Sequence, residues 1–223
     1  MEEDEGEIQV MKIPGRIDQG NKDQAMLNIF LLRHGQTAWN ADNNRYCGRT
    51  DIPLTAAGIG QAEAVRRQLE GLALDGVYSS PLQRAVRTAE IASGRPPVQD
   101  DRLIEVDFGS WEKKTKEAFI PENPQLWQAW MDDPGTARAG GTGETGMEVV
   151  SRVDDFFNEL LATRRSGNYL VAAHNGVNRL YLAYKLGMPL RNYRRILQEN
   201  SSVTLFTLDE QGTFLLERLN AKW

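Results

Sequence analysis

The sequence predicts an α/β fold, a three-layer α/β/α sandwich with a mostly parallel, doubly wound sheet. Two observations carry this prediction. First, short apolar segments of strand length alternate along the chain with longer segments whose apolar residues recur at helical spacing. Second, most of the strand segments are followed by a helix rather than by a tight turn, and this alternation typically places helices on both faces of a parallel sheet.

The first four elements are delimited by apolar runs and by residues that begin helices. Thr55 is predicted to cap a helix, because its hydroxyl can accept a hydrogen bond from a free N–H group of the first turn. Pro81 is predicted to begin the next helix, since proline is favoured in a first turn. The predicted elements of this half are a buried strand over 27–32, a helix over 56–69, a strand over 76–79 and a helix over 81–92.

The second half of the chain contains the strongest helical pattern. Residues 144–165 carry one apolar stripe at helical spacing, formed by Met147, Val150, Val153, Phe157 and Leu160. Residues 103–108 are predicted as either a short strand or an extended segment. The remaining predicted elements are a strand over 169–173, a helix over 177–186, and a closing hairpin of strands over 203–208 and 213–219.

Charge divides the chain into two parts. Of the net charge of −5, −4 lies in residues 1–26, which hold seven carboxylates, three basic residues and no apolar periodicity. We therefore predict an acidic, disordered or loosely attached extension over 1–26 and one domain over 27–223. A true translation start at Met11 or Met26 is the alternative explanation of the acidic segment.

Composition also restricts location and partners. The single cysteine, Cys47, excludes an internal disulfide and fits a reducing compartment, so the chain is predicted to be cytoplasmic. It has no run of about 18 or more apolar residues, which argues against a membrane partner. The acidic net charge argues against nucleic acid as the main partner. The oligomeric state stays open.

Chemistry-bearing residues follow three predicted strand ends. Arg33 and His34 follow the first strand, and His174 follows the strand that ends at residue 173. The strand that ends at Ser79 leads into a helix whose first turn presents Arg84. Ligands of open α/β sheets bind beyond the carboxyl ends of the strands, where arginine forks and a helix N-terminus can hold the oxygens of an anion. The sequence therefore predicts an oxyanion pocket, in the first place for a phosphoryl group.

Five ordered segments carry a family resemblance. They are LRHGQTAWN at 32–40, DIPLTAAG at 51–58, SSPLQRA at 79–85, EVDFGSWE at 105–112 and HNG at 174–176. Together they resemble the histidine phosphatase superfamily, the group that contains the cofactor-dependent phosphoglycerate mutases. The resemblance extends over about residues 27–208 and favours the phosphatase branch.

The resemblance implies a two-step phosphoryl transfer. His34 would be the nucleophile that forms a phosphohistidine, and Glu105 would protonate the leaving alcohol and then activate water. It implies no metal and no cofactor. The phosphoryl oxygens would be held by a set of polar side chains, with His174 also counted as catalytic: Arg33, Asn40, Arg84 and His174.

The resulting prediction is a phosphomonoesterase of the histidine acid type that acts on a small phosphorylated metabolite. One alternative is a mutase, which moves the phosphoryl group to another hydroxyl. Family mutases carry a longer insertion after the acid and a Tyr-Gly pair where this chain has Asp107-Phe108-Gly109, so the phosphatase is favoured. The other alternative is a non-catalytic phospholigand-binding protein on the same fold, which the complete set of catalytic residues disfavours.

Two further segments allow more than one interpretation. GTGETG at 141–146 matches a dinucleotide-binding pattern, but a loop precedes it where that pattern needs a strand. It is predicted instead as a flexible loop that faces the active site and leads into the long helix at Thr142 or Gly143. The aromatic residues Phe119, Trp127 and Trp130 are predicted either to cap the core or to roof the pocket.

Overall fold

The apolar runs of the sequence form a six-stranded sheet in the computed structural model, which describes residues 26–164 and 166–222. The strands are β1 Met26–Arg33, β2 Gly76–Ser79, β3 Val98–Gln99, β4 Gly167–Ala173, β5 Val203–Asp209 and β6 Phe214–Ala221. Their order is β3-β2-β4-β1-β5-β6. The first four strands of this order pair in parallel, whereas β5 pairs in antiparallel fashion with its two neighbours, β1 and β6. The predicted mostly parallel sheet is confirmed.

Seven α-helices occur within the described ranges. They are α1 Ala38–Ala41, α2 Ala56–Gln68, α3 Gln83–Ser93, α4 Lys116–Glu122, α5 Pro124–Asp132, α6 Gly146–Thr163 and α7 Asn175–Lys185. Short 3₁₀ helices cover Asp101–Leu103, Gly109–Trp111, Ala139–Gly141 and Leu190–Arg195.

Each face of the sheet carries its own core. Successive side chains of a strand point to opposite faces, so Ile29 and Leu31 of β1 enter the core under α6 and α7. Phe30 and Leu32 enter the second core, under α2 and α3. A sheet covered on both faces by helices is the predicted three-layer sandwich, which is confirmed.

Two predicted helix starts lie too early. The helix predicted from Pro81 begins at Gln83. The helix predicted from residue 144 begins at Gly146, because Thr145 and Glu148 form a capping box that fixes its first turn. The predicted apolar stripe was wrong at Met147, whose side chain is 43% exposed, and right at its other four members.

The segment around residue 105 is extended. No strand forms over 103–108; a 3₁₀ turn at Asp101–Leu103 is followed by irregular extended backbone. Of the two predicted alternatives, the strand was therefore wrong. The edge strand β3 was not predicted, since two residues are too few to show alternation.

The aromatic residues between Glu105 and α6 cap the core. Phe119 and Trp130 are buried, and Trp111 stacks on Phe119 with 4.9 Å between the ring centroids. These rings therefore support the first interpretation, a structural cap. The same segment also contributes Lys116 to the active-site cavity.

The predicted extension over 1–26 lies outside the described residues except for Met26, which begins β1. Its boundary with the domain stays a prediction. Over 26–164 and 166–222, no helix is long and apolar enough to cross a membrane.

Candidate active site

The two histidines follow neighbouring parallel strands. Arg33 of β1 lies opposite Ala173 of β4 in the sheet register, so His34 and His174 leave the sheet at the same edge. The backbone N–H of His34 donates to the carbonyl of Ala173 at 3.1 Å. The two imidazole rings meet edge to face, with 5.1 Å between their centroids. The sheet topology thus brings together the residues that the sequence placed at separate strand ends.

Two glycines allow the loop after β1 to pack on the start of α2. A Cβ atom on Gly35 would lie 2.5 Å from the carbonyl oxygen of Gly58, and one on Gly58 would lie 2.2 Å from the carbonyl oxygen of Gln36. Real Cβ atoms do not approach backbone so closely. The glycines of the first two motif segments are therefore required by one backbone contact, which holds His34 in place.

His34 is held as a neutral imidazole with one free nitrogen. Its Nδ1 lies 2.7 Å from the carbonyl oxygen of Gly35, which can only accept, so Nδ1 is assigned the proton. The lone pair is then on Nε2. Burial lowers the pKa of His34 well below 6.5, and the charges of Arg84 and Arg33 lower it further. An uncharged imidazole is the nucleophilic form.

Arg33 and Arg84 supply two guanidinium groups to the floor of the site. Arg84 is fully buried and donates to the carbonyls of Thr50 and Gly48, each at 2.8 Å. Arg33 donates from Nη1 to the carbonyl of Gln198 at 2.6 Å. In both side chains Nε is buried and has no hydrogen-bond partner. Among the described residues, no carboxylate oxygen lies within 4.0 Å of either group.

Buried cations that have no carboxylate within 4.0 Å among the described residues predict an anionic ligand. Burial lowers the pKa of Arg33 to about 10, which still leaves it protonated at neutral pH. Keeping such a charge from water costs free energy unless an anion compensates it. The floor is therefore suited to a group with several anionic oxygens.

His174 lies beside His34, although it is not itself among the residues that line the cavity. It is fully buried, and its Nε2 lies 2.7 Å from the Oγ of Ser80. Oγ itself accepts from the N–H of Leu82 at 3.3 Å, so its own hydrogen is free to donate to Nε2. That arrangement leaves the proton on Nδ1, which is buried and unpartnered. An N–H group of this kind can donate to a ligand oxygen.

Asn40 is oriented by a capping box. Its Oδ1 accepts from the N–H of Thr37 at 3.0 Å and from Nδ2 of Asn200 at 3.2 Å. With the amide oxygen occupied on the protein side, Nδ2 is the group left for the cavity that Asn40 lines. Asn40 therefore presents a donor, as the resemblance implies.

Glu105 is held by the N-terminus of α7. Its Oε1 accepts from the N–H groups of Val106 at 2.9 Å and Val177 at 3.0 Å, and its Oε2 accepts from that of Gly176 at 3.2 Å. Three backbone donors fix the orientation of this side chain, which is only 6% exposed and lines the cavity. An extended segment, rather than a strand, carries Glu105.

A charged clamp holds the segment that carries Glu105. Arg152 of α6 donates to the carbonyls of Arg102 at 2.7 Å and Glu105 at 3.4 Å. Its Nε pairs with Glu144 at 2.9 Å, and Glu144 also accepts from the N–H of Asp107. Glu144, predicted as the first residue of the long helix, is instead the counter-ion of this clamp. No local pattern in the sequence could have revealed it.

The glycine-rich loop packs against the same segment. A Cβ atom on Gly143 would lie 2.1 Å from the carbonyl oxygen of Asp107, and one on Gly140 would lie 2.3 Å from that of Phe108. The glycines are thus required by backbone contact. The prediction that this loop faces the active site was wrong, since none of residues 138–146 lines the cavity.

These side chains surround a cavity of 990 Å³ at the carboxyl edge of the sheet. All the residues predicted for the site except His174 line the cavity: Arg33, His34, Asn40, Arg84 and Glu105. The prediction missed the supporting roles of Ser80, Gly176 and Asn200. In the part of the chain that the structure describes, no three or more His, Cys, Asp or Glu side chains are grouped so that they could hold a metal ion.

Replacement of Gly176 by alanine is expected to displace Glu105. The new Cβ atom would lie 2.8 Å from Oε1 of Glu105 and 2.9 Å from a methyl group of Val106. If Glu105 moves by about 1 Å to relieve these contacts, kcat on an alkyl phosphate should fall about 10- to 100-fold. Steady-state kinetics would show it, and Gly60→Ala is the matched control, because no atom lies within 4 Å of a Cβ there. A wild-type kcat in Gly176→Ala would contradict this account of the Glu105 position.

The stability of the protein is expected to fall below about pH 6.5. Burial is the main cause that lowers the pKa of His34 and His174 in the folded chain, so only the unfolded chain binds these protons. Each histidine then lowers the free energy of unfolding by up to about 1.4 kcal/mol per pH unit as the pH drops from about 6.5 toward the lowered folded values. Urea unfolding at pH 7.0, 6.5 and 5.5 measures this slope. His174→Asn should halve it, and an unchanged stability over this range would contradict the neutral state of both rings.

The comparisons with known proteins agree with this geometry. The model of the histidine phosphatase superfamily (branch 1) matches residues 29–222. The chain is 35% identical over 167 residues to the adenosylcobalamin/α-ribazole phosphatase of Escherichia coli, covering 73% of this chain and 81% of that protein. It is 31% identical over 182 residues to the probable phosphoglycerate mutase GpmB of Proteus mirabilis, covering 80% and 84%.

A solved structure shows the same fold. A phosphoserine phosphatase mutant from Entamoeba histolytica, in complex with phosphoserine, is similar with a TM-score of 0.79 and 26% sequence identity. The match covers 87% of this chain and 97% of that one. With the family model extending over nearly the whole described domain, the chain belongs to the histidine phosphatase superfamily.

Proposed function

We propose that this chain is a phosphomonoesterase that hydrolyses a small phosphorylated metabolite through a phosphohistidine on His34. The observation that carries the proposal is the neutral imidazole of His34, whose free Nε2 lies beside two buried guanidinium groups without counter-ions. A nucleophile next to a site for anionic oxygens is what covalent phosphoryl transfer needs. Relatives named as phosphatases of small metabolites support the same reaction.

In the first step, Nε2 of His34 attacks phosphorus and the bond from phosphorus to the ester oxygen breaks. Glu105 enters this step protonated and gives its proton to the leaving alkoxide. Arg33, Arg84 and Nδ1–H of His174 stabilise the charge on the three equatorial oxygens, which is the main catalytic contribution in phosphoryl transfer. Asn40 adds a donor at the edge of the same site.

In the second step, water attacks the phosphohistidine. Glu105, now a carboxylate, takes a proton from that water, and the bond between phosphorus and Nε2 breaks. The electron pair returns to Nε2, so the imidazole is neutral again and Glu105 is protonated for the next cycle. Its place at the N-terminus of α7 keeps the carboxyl group in position for both transfers.

A mutase is the alternative that one observation favours. This observation is the similarity of the chain to a relative named as a probable phosphoglycerate mutase. A mutase would pass the phosphoryl group of His34 to a second hydroxyl before water arrives. The histidine acid type and the cytoplasmic location stay predictions.

Measurement of phosphate release and phosphoryl exchange on a panel of phosphorylated metabolites tests the proposal. The expected result is release of inorganic phosphate with one oxygen from ¹⁸O-labelled water. Exchange between positional isomers faster than release would assign a mutase. Binding with neither reaction would assign a non-catalytic protein, and His34→Ala prepared in parallel controls for contaminating phosphatases.

A further inference from the structure

Three cations on the cavity wall form no ion pair with any acidic side chain that the structure describes. Arg179 lies on α7, Arg194 lies on the short helix Leu190–Arg195, and Lys116 begins α4. All three line the same cavity as His34. Over the described ranges, no carboxylate oxygen lies within 4.0 Å of their charged nitrogens. We call these three residues the wall cluster.

Two aromatic rings hold the wall cluster together. The ring centre of Tyr193 lies 5.3 Å from Cζ of Arg179 and 5.1 Å from Cζ of Arg194. The ring centre of Trp127 lies 4.4 Å from Cζ of Arg194 and 5.7 Å from Nζ of Lys116. Because Arg194 contacts both rings, the three charges form one group.

The hydrogen bonds of the wall cluster go to uncharged acceptors. Arg179 donates from Nε to the carbonyl of Tyr193 at 3.2 Å. Arg194 donates to the hydroxyl of Tyr46 at 3.3 Å and to Sδ of Met131 at 2.7 Å, a weak acceptor. Stacking on rings and bonding to neutral atoms orient these groups but leave their charge uncompensated.

Some arginines elsewhere in the described ranges are neutralised by a carboxylate of the protein. Arg102, Arg138 and Arg152 each pair with a carboxylate at 2.6–2.9 Å. In the wall cluster, burial and then the charges of Arg194 and Arg179 lower the pKa of Lys116. The positive charges of the wall cluster repel one another, and an anion bound between them would offset this electrostatic repulsion.

Acidic residues of the cavity do not neutralise the wall cluster. Both carboxylate oxygens of Glu105 already accept hydrogen bonds from backbone N–H groups at the N-terminus of α7. Glu199 pairs with Lys222 at 3.2 Å. Glu117 is exposed, and it forms no ion pair with Lys116 within 4.0 Å. Over the described ranges, no acidic side chain therefore neutralises the wall cluster, in which Lys116 is exposed and Arg179 and Arg194 are half-buried, and an anionic ligand can supply the counter-ion.

We propose that the wall cluster is a second anion subsite, so that the substrate is a small phosphate ester that carries another anionic group, a carboxylate or a second phosphate. This inference rests on the proposed function, because the first anion is the ester phosphate bound between Arg33 and Arg84. The cavity of 990 Å³ lies at the upper end of the usual range for small-molecule sites and has room for both groups. Guanidinium forks can bind either kind of anion with two parallel hydrogen bonds.

The test compares esters that differ in the second anion alone. Phosphoserine is paired with phosphoethanolamine for the carboxylate, and a sugar bisphosphate with its monophosphate for the phosphate. The wild type is expected to favour the anionic member of at least one pair by about 10-fold or more in kcat/KM. The pair that shows the preference identifies the second anion.

The variants Arg194→Gln and Lys116→Gln connect that preference to the wall cluster. Each should reduce it about 3- to 10-fold, mainly through KM, whereas Arg191→Gln should keep it. Arg191 is the matched control, since it is exposed on the same short helix and does not line the cavity. A preference unchanged in both wall variants would overturn the proposal.

Binding to His34→Ala gives a readout that does not need catalysis. Calorimetry on this variant should show tighter binding of the anionic member of the preferred pair. Equal binding within both pairs would overturn the second subsite, even if no ester is hydrolysed. Failure of the wild type to hydrolyse any ester, p-nitrophenyl phosphate included, would instead overturn the proposed phosphatase function.

Discussion

Replacement of His34 by alanine is expected to abolish turnover, with kcat at least about 10⁴-fold below the wild-type value. The variant keeps Arg33, Arg84 and His174 and so keeps the groups that hold a phosphoryl group. The variant lacks the lone pair on Nε2 that would accept the phosphoryl group. Among the described residues His174 cannot replace it, because Nδ1, its nitrogen without a hydrogen-bond partner, is assigned a proton. Positioned water alone would have to attack the ester.

Rapid quenching in base, followed by mass spectrometry under alkaline conditions, measures the intermediate. The wild type should carry one acid-labile phosphate on His34, and His34→Ala should carry none. Added imidazole, which fits the space left by the ring, is expected to restore part of the rate. A chelator should leave the wild type fully active. Covalent phosphate in the variant, or activity lost to the chelator, would contradict the assignment.

Replacement of Glu105 by glutamine should lower kcat for an alkyl phosphate by about 10²–10⁴, the usual range for general acid–base catalysis. An alkoxide is a poor leaving group and needs the proton that Glu105 supplies. A nitrophenolate leaves well without one, so formation of the phosphoenzyme from p-nitrophenyl phosphate should slow much less. The contrast between the two esters, rather than the loss on either, identifies the acid.

Glutamine has nearly the same size as glutamate, and it can keep most of the hydrogen bonds of Glu105. A glutamine oxygen can still accept from Val106 and Val177, and the new amide nitrogen would face only the N–H of Gly176. The melting temperature should therefore fall little. Equal losses on both esters leave two explanations, and burst kinetics on the aryl ester separates them. A burst shows that hydrolysis of the phosphoenzyme limits the rate, whereas its absence shows that Glu105 is not the acid.

The floor of the site could be predicted because its residues are adjacent in sequence to strand ends. In a parallel sheet the carboxyl ends of strands meet at one edge, so Arg33, His34 and His174 converge once the βα alternation is recognised. The same rule failed for Glu105, which no strand carries. The family resemblance supplied that residue, and the structure supplied the reason for its position.

The support of the site could not be predicted, since it consists of contacts between distant parts of the chain. Ser80 orients His174 across 94 residues, and Arg152 holds the backbone of Glu105 across 47. Such pairs have no local spacing that marks them. The wall cluster is of the same kind, because Lys116 and Arg194 are brought together by the ring of Trp127.

Helix boundaries failed where a cap competed with periodicity. The predicted long helix starts at residue 144, but the capping box of Thr145 and Glu148 places the start at Gly146, two residues later. The edge strand β3 failed for the opposite reason, since its two exposed residues carry no pattern at all.

The uncompensated guanidinium groups of the floor have a consequence for product release. Inorganic phosphate can present anionic oxygens to Arg33 and Arg84 as the ester does, and the backbone hydrogen bonds of these side chains do not involve the leaving alcohol. The product is therefore also a competitive ligand of the free enzyme. On esters with good leaving groups, we therefore expect the release of phosphate, rather than bond breaking, to limit turnover, and added inorganic phosphate to inhibit the reaction.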